Sequence, residues 1–247
     1  MKVTIGAALG GAWRLARRDV EILVPVTGLF LFLPTLAMLL LMPSPPMGPG
    51  AGASEQQLAV FVQAYSDWLV GNAPAFGAAA ACSLMGSATL AAFYLDPQAQ
   101  DVRGALARAV ALLPRFMLAA VIVGVPTFIG AWLFIVPGLY VMARTMLAGP
   151  ILVASRPVSA LGAVMASVRM TRGNGLVLTA LAAVLLLAGQ LLPIPFLAMV
   201  QSLGAAHAAN PVVVALLSMA AATCAAAAAL ATILVRVWLY GELAARG

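Results

Sequence analysis

The side chain with the strongest chemical character inside an apolar stretch of this sequence is Arg144. It sits in Leu139-Tyr140-Val141-Met142-Ala143-Arg144-Thr145-Met146-Leu147, a run with no other charge. An arginine inside a membrane span costs about 2.5–3.5 kcal/mol to insert, so it must face a helix bundle or a polar cavity and find a partner there. Pro137-Gly138 is a strong turn former, and Arg144 lies about six residues beyond it, roughly 9 Å along a regular helix. Two roles are open to it. The forked guanidinium can hold a lipid phosphate or another anion. Alternatively, it snorkels to the nearby outer interface or bonds to carbonyls freed at the Pro-Gly break.

The other candidates carry less chemistry. Gln190 is the only large polar side chain within a span, among Thr127, Thr145, Thr179, Ser83, Ser87, Thr89, Ser218 and Thr223. Such groups commonly bond between membrane helices, at about 0.6 kcal/mol each. Three arginine-bearing segments, closed by Arg17–Arg18, Arg115 and Arg172, offer cations to a lipid head-group layer at about 1 kcal/mol each. They serve equally as orientation signals. No nucleophile–base pair and no metal-ligand set is visible, so neither an enzyme nor a metal or cofactor site is expected. His207, followed by Ala208, is the only histidine. Cys82 and Cys224 stand alone in apolar surroundings, where a thiol acts as a small hydrophobe.

The elements that must position these groups follow from composition. Of the 247 residues, 64% are hydrophobic and 8% charged, with a mean hydropathy of +1.08. A soluble domain carries about 25% charged residues, so this chain cannot cover a water-facing surface. The net charge of +6 is spread too thinly for a nucleic-acid footprint. A spanning helix needs about 20 apolar residues. Six stretches qualify: Val20–Met42, Ala73–Leu95, Phe116–Val136, Leu139–Ser155, Leu176–Leu192 and Val212–Val235. The first is too long for the hydrophobic part of a signal peptide. The third and fourth form one apolar run that would reach about 60 Å unbroken, so a tight hairpin is expected at Pro137-Gly138. Residues 1–247 read as one all-α membrane domain of six transmembrane helices, arranged as three helical hairpins with short amphipathic interfacial helices.

Orientation follows from the basic residues. Lys2, Arg14, Arg17 and Arg18 precede the first span; Arg103, Arg108 and Arg115 lie between spans two and three; Arg156, Arg169 and Arg172 lie between four and five; Arg236 and Arg246 end the chain. The alternate loops, 43–72, around 137 and 193–211, carry none. Positive charge marks the cytoplasmic side, which places both termini inside at a bacterial inner membrane. In the first outer loop a Pro/Gly linker leads to Ser54-Glu55-Gln56-Gln57, a capping box. The helix it opens bears Leu58, Phe61, Tyr65 and Trp68 at helical spacing, which predicts an amphipathic helix on the outer surface. A partner-docking helix fits the same pattern.

The three basic segments resemble one another: Gly6-Ala7-Ala8-Leu9 to Arg17, Gly104-Ala105-Leu106 to Arg115, and Ala160-Leu161 to Arg172. Each is expected to be an interfacial helix followed by a transmembrane pair, giving a threefold repeat. Over residues 100–180, Pro137-Gly138, Arg144, Pro150, Ala160-Leu161 and Ser167 to Asn174 resemble the membrane-domain family attached to some bacterial glycerophosphodiester phosphodiesterases, which also occurs alone. The resemblance implies a six-helix membrane domain without the hydrolase. The expected function is a non-enzymatic inner-membrane protein that interacts with phospholipids, organises the bilayer or accompanies a larger complex or homo-oligomer. The alternative is a small-molecule or lipid transporter or channel.

Overall fold

The structure is a computed structural model that describes residues 4–50, 52–99, 101–155, 158–205 and 210–245. Among these, helices carry nearly all of the regular structure: α1 (Ile5–Arg18), α2 (Val20–Thr27), α3 (Leu33–Leu41), α4 (Glu55–Gly71), α5 (Ala73–Leu95), α6 (Val102–Leu133), α7 (Ile135–Thr145), α8 (Ala148–Ala154), α9 (Ala160–Met170), α10 (Gly175–Leu191), α11 (Ile194–Ala205) and α12 (Pro211–Ala244). Six helical segments are long and apolar enough to cross a bilayer: Val20–Leu41, Ala73–Leu95, Val102–Gly130, Ile135–Ala154, Gly175–Gly204 and Pro211–Ala244. A helix satisfies its own backbone, which is what hydrocarbon demands. Phe128, Trp132, Phe134 and Ile135 each stand more than 70% exposed, an apolar surface of the kind that a bilayer covers. The chain is a multi-pass membrane protein.

The second span keeps the bounds expected of it, the first ends one residue early at Leu41, and the others shift for physical reasons. Phe116–Val136 was expected to follow a separate interfacial helix, yet α6 runs unbroken from Val102 through Pro114 and Pro126. Proline removes one hydrogen bond, but Leu112 and Phe116, both buried, hold the helix on either side of Pro114. The turn expected at Pro137-Gly138 falls instead at Phe134, whose backbone is extended. Pro137 lies in the first turn of α7, where its missing N–H has no helical partner to lose. The fourth span is itself broken between α7 and α8, at Met146-Leu147. The loop expected from Pro193 to Pro211 is largely α11, which again opens with a proline in its first turn.

The three basic segments are not alike in the structure. Asp19 separates α1 from α2, and residues 171–174 separate α9 from α10. The middle segment is continuous with its span. α9 buries one face, with Ala160, Ala163, Val164 and Ser167, and leaves Leu161 and Met165 exposed on the other. Inside the first span, Gly28–Phe32 forms a π-turn closed by the Leu33 N–H on the Gly28 carbonyl. Pro34 follows immediately; it cannot donate, and its ring presses on the carbonyl four residues back. The wide turn relieves that pressure.

Small residues set the packing. Ala88, Ala91 and Ala92 of α5 and Ala221, Ala222 and Ala226 of α12 are buried, which lets backbones approach closely. At Gly11 an added Cβ would collide with the Trp238 indole, and at Gly130 it would come within 3.0 Å of the Gly138 backbone nitrogen. Only glycine lets α1 lie against α12 and α6 against α7. α4 forms as expected, with Ser54 Oγ accepting from Gln57 N at 3.3 Å and Gln57 Oε1 accepting from Ser54 N at 2.9 Å. Its aromatic stripe does not enter the protein core, however; α4 has no buried residue. Phe61, Tyr65 and Trp68 instead contact one another in sequence at 5.8 Å between ring centroids, and the Trp68 indole N–H donates to the Pro43 carbonyl at 2.9 Å.

Candidate functional site

Arg144 stands at the last turn of α7, ten residues beyond Phe134 and not six beyond a turn at Pro137-Gly138. Its Nη2 donates to the Val168 carbonyl at 2.6 Å, and its guanidinium carbon lies 5.9 Å from the Tyr140 ring centroid. Val168 belongs to the last turn of α9, where carbonyls lack helical partners and attract cations. The side chain therefore binds α9, an element the basic-residue pattern assigns to the inner side, and not carbonyls at the Pro-Gly pair.

The break beside Arg144 is stitched by the same helix. Without a continuous helix, the Arg144 carbonyl and the Leu147 N–H lose their usual partners. Ser167 Oγ donates to the first at 2.8 Å and accepts from the second at 3.2 Å. One turn on, Thr171 Oγ1 donates to the Ser167 carbonyl at 2.8 Å. Leu147, Ser167 and Thr171 are fully buried. Arg144, Ser167 and Thr171 thus form a polar staple between α7–α8 and α9.

Arg17, Arg115 and Arg172 are exposed, on α1, on α6 and in the turn after α9, and among the described residues no contact joins them. The Arg17 guanidinium lies 5.0 Å from the Trp13 ring centroid. Two other arginines of the basic segments are paired within the protein. Arg108 Nε meets Asp96 at 3.3 Å, and Arg18 meets Asp19 at 3.0 Å. Asp19 also accepts the Tyr94 hydroxyl at 2.9 Å, tying the α1–α2 joint to the end of α5.

The structure adds a residue that the sequence reading counted only as a flank. Arg236 lies within α12, and its Nε is enclosed without a hydrogen-bond partner. It lines two cavities. One, of about 160 Å³, lies among α5, α6, α7, α8 and α12 and includes Ser87, Phe116 and Thr145. The other, of about 250 Å³, lies among α7, α10 and α12 and includes Gln190 and Thr232. Met142, Met146 and Arg236 border both. Gln190 and Arg236 thereby line one cavity, a placement not evident from the spans alone. The signal was present in the sequence. Val237-Trp238-Leu239-Tyr240 continues the apolar run beyond Arg236, and Val237 and Leu239 are buried. His207 lies outside the described residues, as do Lys2, Arg156 and Arg246.

Among the described residues no group of three His, Cys, Asp or Glu side chains is placed to hold a metal ion. The two cysteines are half-buried and free. Comparisons of the chain with models of known families, with curated proteins and with solved structures find no match.

Proposed function

We propose that this chain is a non-catalytic inner-membrane protein that holds anionic phospholipid at its basic face, as a bilayer-organising protein or an accessory subunit of a larger complex. The supporting observation is the geometry of α1. One face, with Ala8, Gly11 and Ala12, is buried and packs on α12. The other leaves Leu9 and Trp13 exposed, beside exposed Arg14 and Arg17. An apolar body with arginines along its border is what an amphipathic helix needs in order to lie at the head-group boundary. Arg115 and Arg172 add exposed cations on α6 and after α9. Arg144 has its bond inside the protein and is not assigned to lipid.

The test uses a variant that retains Trp13 as its only tryptophan, in phosphatidylcholine nanodiscs doped with brominated phosphatidylglycerol or brominated phosphatidylcholine. Bromine quenches tryptophan on contact. Trp13 emission is expected to fall more with the anionic lipid, and Arg14→Gln/Arg17→Gln to remove most of the preference, since each arginine contributes about 1 kcal/mol. Equal quenching by both lipids in the parent protein would sink the proposal. A transporter of small molecules or lipids is the second reading. It rests on the broken fourth span with cavities on either side of Met146, since interrupted helices are where transporters bind their substrates.

A further inference from the structure

The surroundings of Arg236 make it unlike the other arginines. Among the described residues it has no hydrogen bond and no ion pair, and its Nε is shut off from solvent. The residue as a whole is half-buried, and a cation held partly among apolar helices is costly unless an anion or water meets it. The nearby hydroxyls do not fill that need. Ser87 donates to the Ser83 carbonyl at 2.8 Å, Thr145 to Val141 at 2.8 Å and Thr232 to Ala228 at 2.9 Å. Each hydroxyl proton is thus committed within its own helix, which leaves the guanidinium as the strong donor facing the two cavities.

Depth narrows the ligand. Pro211–Val235 is free of charge and rises about 37 Å as a helix, enough to cross the hydrocarbon core of about 30 Å. Arg236 follows directly, so it stands where acyl chains give way to head groups. Two residues on, Trp238 packs against Gly11 of α1. On the hydrocarbon side the cavity walls are apolar, with Ala120, Val123 and Phe116 in one and Ala182, Leu185 and Ala225 in the other. Gln190 adds an amide to the second cavity, next to Gly189, where an added Cβ would lie 3.8 Å from the Ala228 Cβ. Ala228 is two turns from Arg236, about 12 Å.

We infer that Arg236 is an intramembrane binding site for the oxyanion head of an amphiphile, whose hydrocarbon part occupies the cavities flanking α12. The guanidinium fork suits phosphate and carboxylate alike, and the apolar walls select a head that carries a tail. This site deepens the lipid-binding reading above but is physically separate from the outer face of α1.

The experiment retains Trp238 as the only tryptophan, with Trp13, Trp68 and Trp132 replaced by Phe. In phosphatidylcholine nanodiscs, a low fraction of dibrominated phosphatidylglycerol is expected to quench Trp238 in a saturable way. Its effect should exceed that of dibrominated phosphatidylcholine by about fivefold or more, as a charge-assisted bidentate contact implies. Arg236→Gln should abolish the preference, and Arg236→Lys should keep part of it. Should Arg236→Gln fail to fold, Ala225→Phe with Ala120→Phe fills the cavities while leaving the charge, and should weaken quenching by the anionic lipid. Three results overturn the inference: equal quenching by both lipids in the parent, no change in the cavity-filling variant, or displacement by millimolar inorganic phosphate, which would make the ligand a free anion. Trp238 lies two residues from Arg236 and packs on α1, so the variants separate the two proposals: Arg236→Gln and the cavity-filling pair leave Arg14 and Arg17 in place, and Arg14→Gln/Arg17→Gln leaves Arg236 and both cavities in place.

Discussion

At Ser167 a single hydroxyl serves a carbonyl on one side of a helix break and an N–H on the other. Ser167→Ala leaves the Leu147 N–H buried without that partner, at about 1–3 kcal/mol, while the Arg144 carbonyl keeps only Thr171 Oγ1 at 3.4 Å. We expect thermal unfolding in detergent to show a clear loss of stability for Ser167→Ala, and a change within error would refute the staple. Arg144→Leu should behave differently, because it removes a half-buried cation and leaves the Val168 carbonyl a share of the Thr171 hydroxyl, at 3.3 Å beside its bond to Ser167 at 2.8 Å. The variant should insert and fold, with its co-purified phospholipid unchanged. A drop in phospholipid content would return Arg144 to the list of lipid ligands. Sequence showed Arg144 because it interrupts an apolar run, but not its partner, which comes from a residue 24 positions away. Arg236 was hidden by a different cause. Counting a span up to its first charge makes any arginine near the end look like a flank, although the apolar Val237-Trp238-Leu239-Tyr240 beyond it is the sign that corrects that.

Among the elements, proline misled more than any other residue. Pro137, Pro193 and Pro195 mark turns when read alone, yet Pro137 and Pro195 sit in the first turns of α7 and α11, where proline fits. Pro114 and Pro126 lie inside α6, held by packing that no local rule contains. By contrast, α4 was legible to its first residue, because a capping box is a local device. The close approach of α6 and α7 offers a test. Gly130→Leu places a side chain against the Gly138 backbone, which cannot give way as a flexible side chain would. Overpacking of this kind costs about 1–3 kcal/mol, and we expect the thermal midpoint to fall. Gly124→Leu in the same helix, where an added Cβ has nothing within 4 Å, should leave it nearly unchanged. If both variants behave alike, the packing of α6 on α7 is not as described.

For the molecule as a whole, hydropathy alone gave the number of apolar segments, since length and composition are all that crossing a bilayer requires. The order in which those segments pack depends on contacts far apart in sequence, such as α1 with α12 and α5 with α8, and was not legible. Orientation has its own check. In a variant lacking Cys82 and Cys224, an impermeant thiol reagent added outside intact cells should label Met47→Cys and spare Arg172→Cys. Labelling of both, or of Arg172→Cys alone, would reverse or break the expected topology. The 34 residues of α12 have a mechanical consequence. They make a rod of about 51 Å in a film about 30 Å thick, and Arg236–Ala244 accounts for about 13 Å beyond the uncharged stretch. A rod longer than its film answers thinning by leaning, and leans of about 20° are ordinary. Such a lean carries each end sideways from the rod's midpoint by about 9 Å. α1 is fastened to that end through Gly11 and Trp238, so the thickness of the membrane becomes a displacement of α1 along its surface.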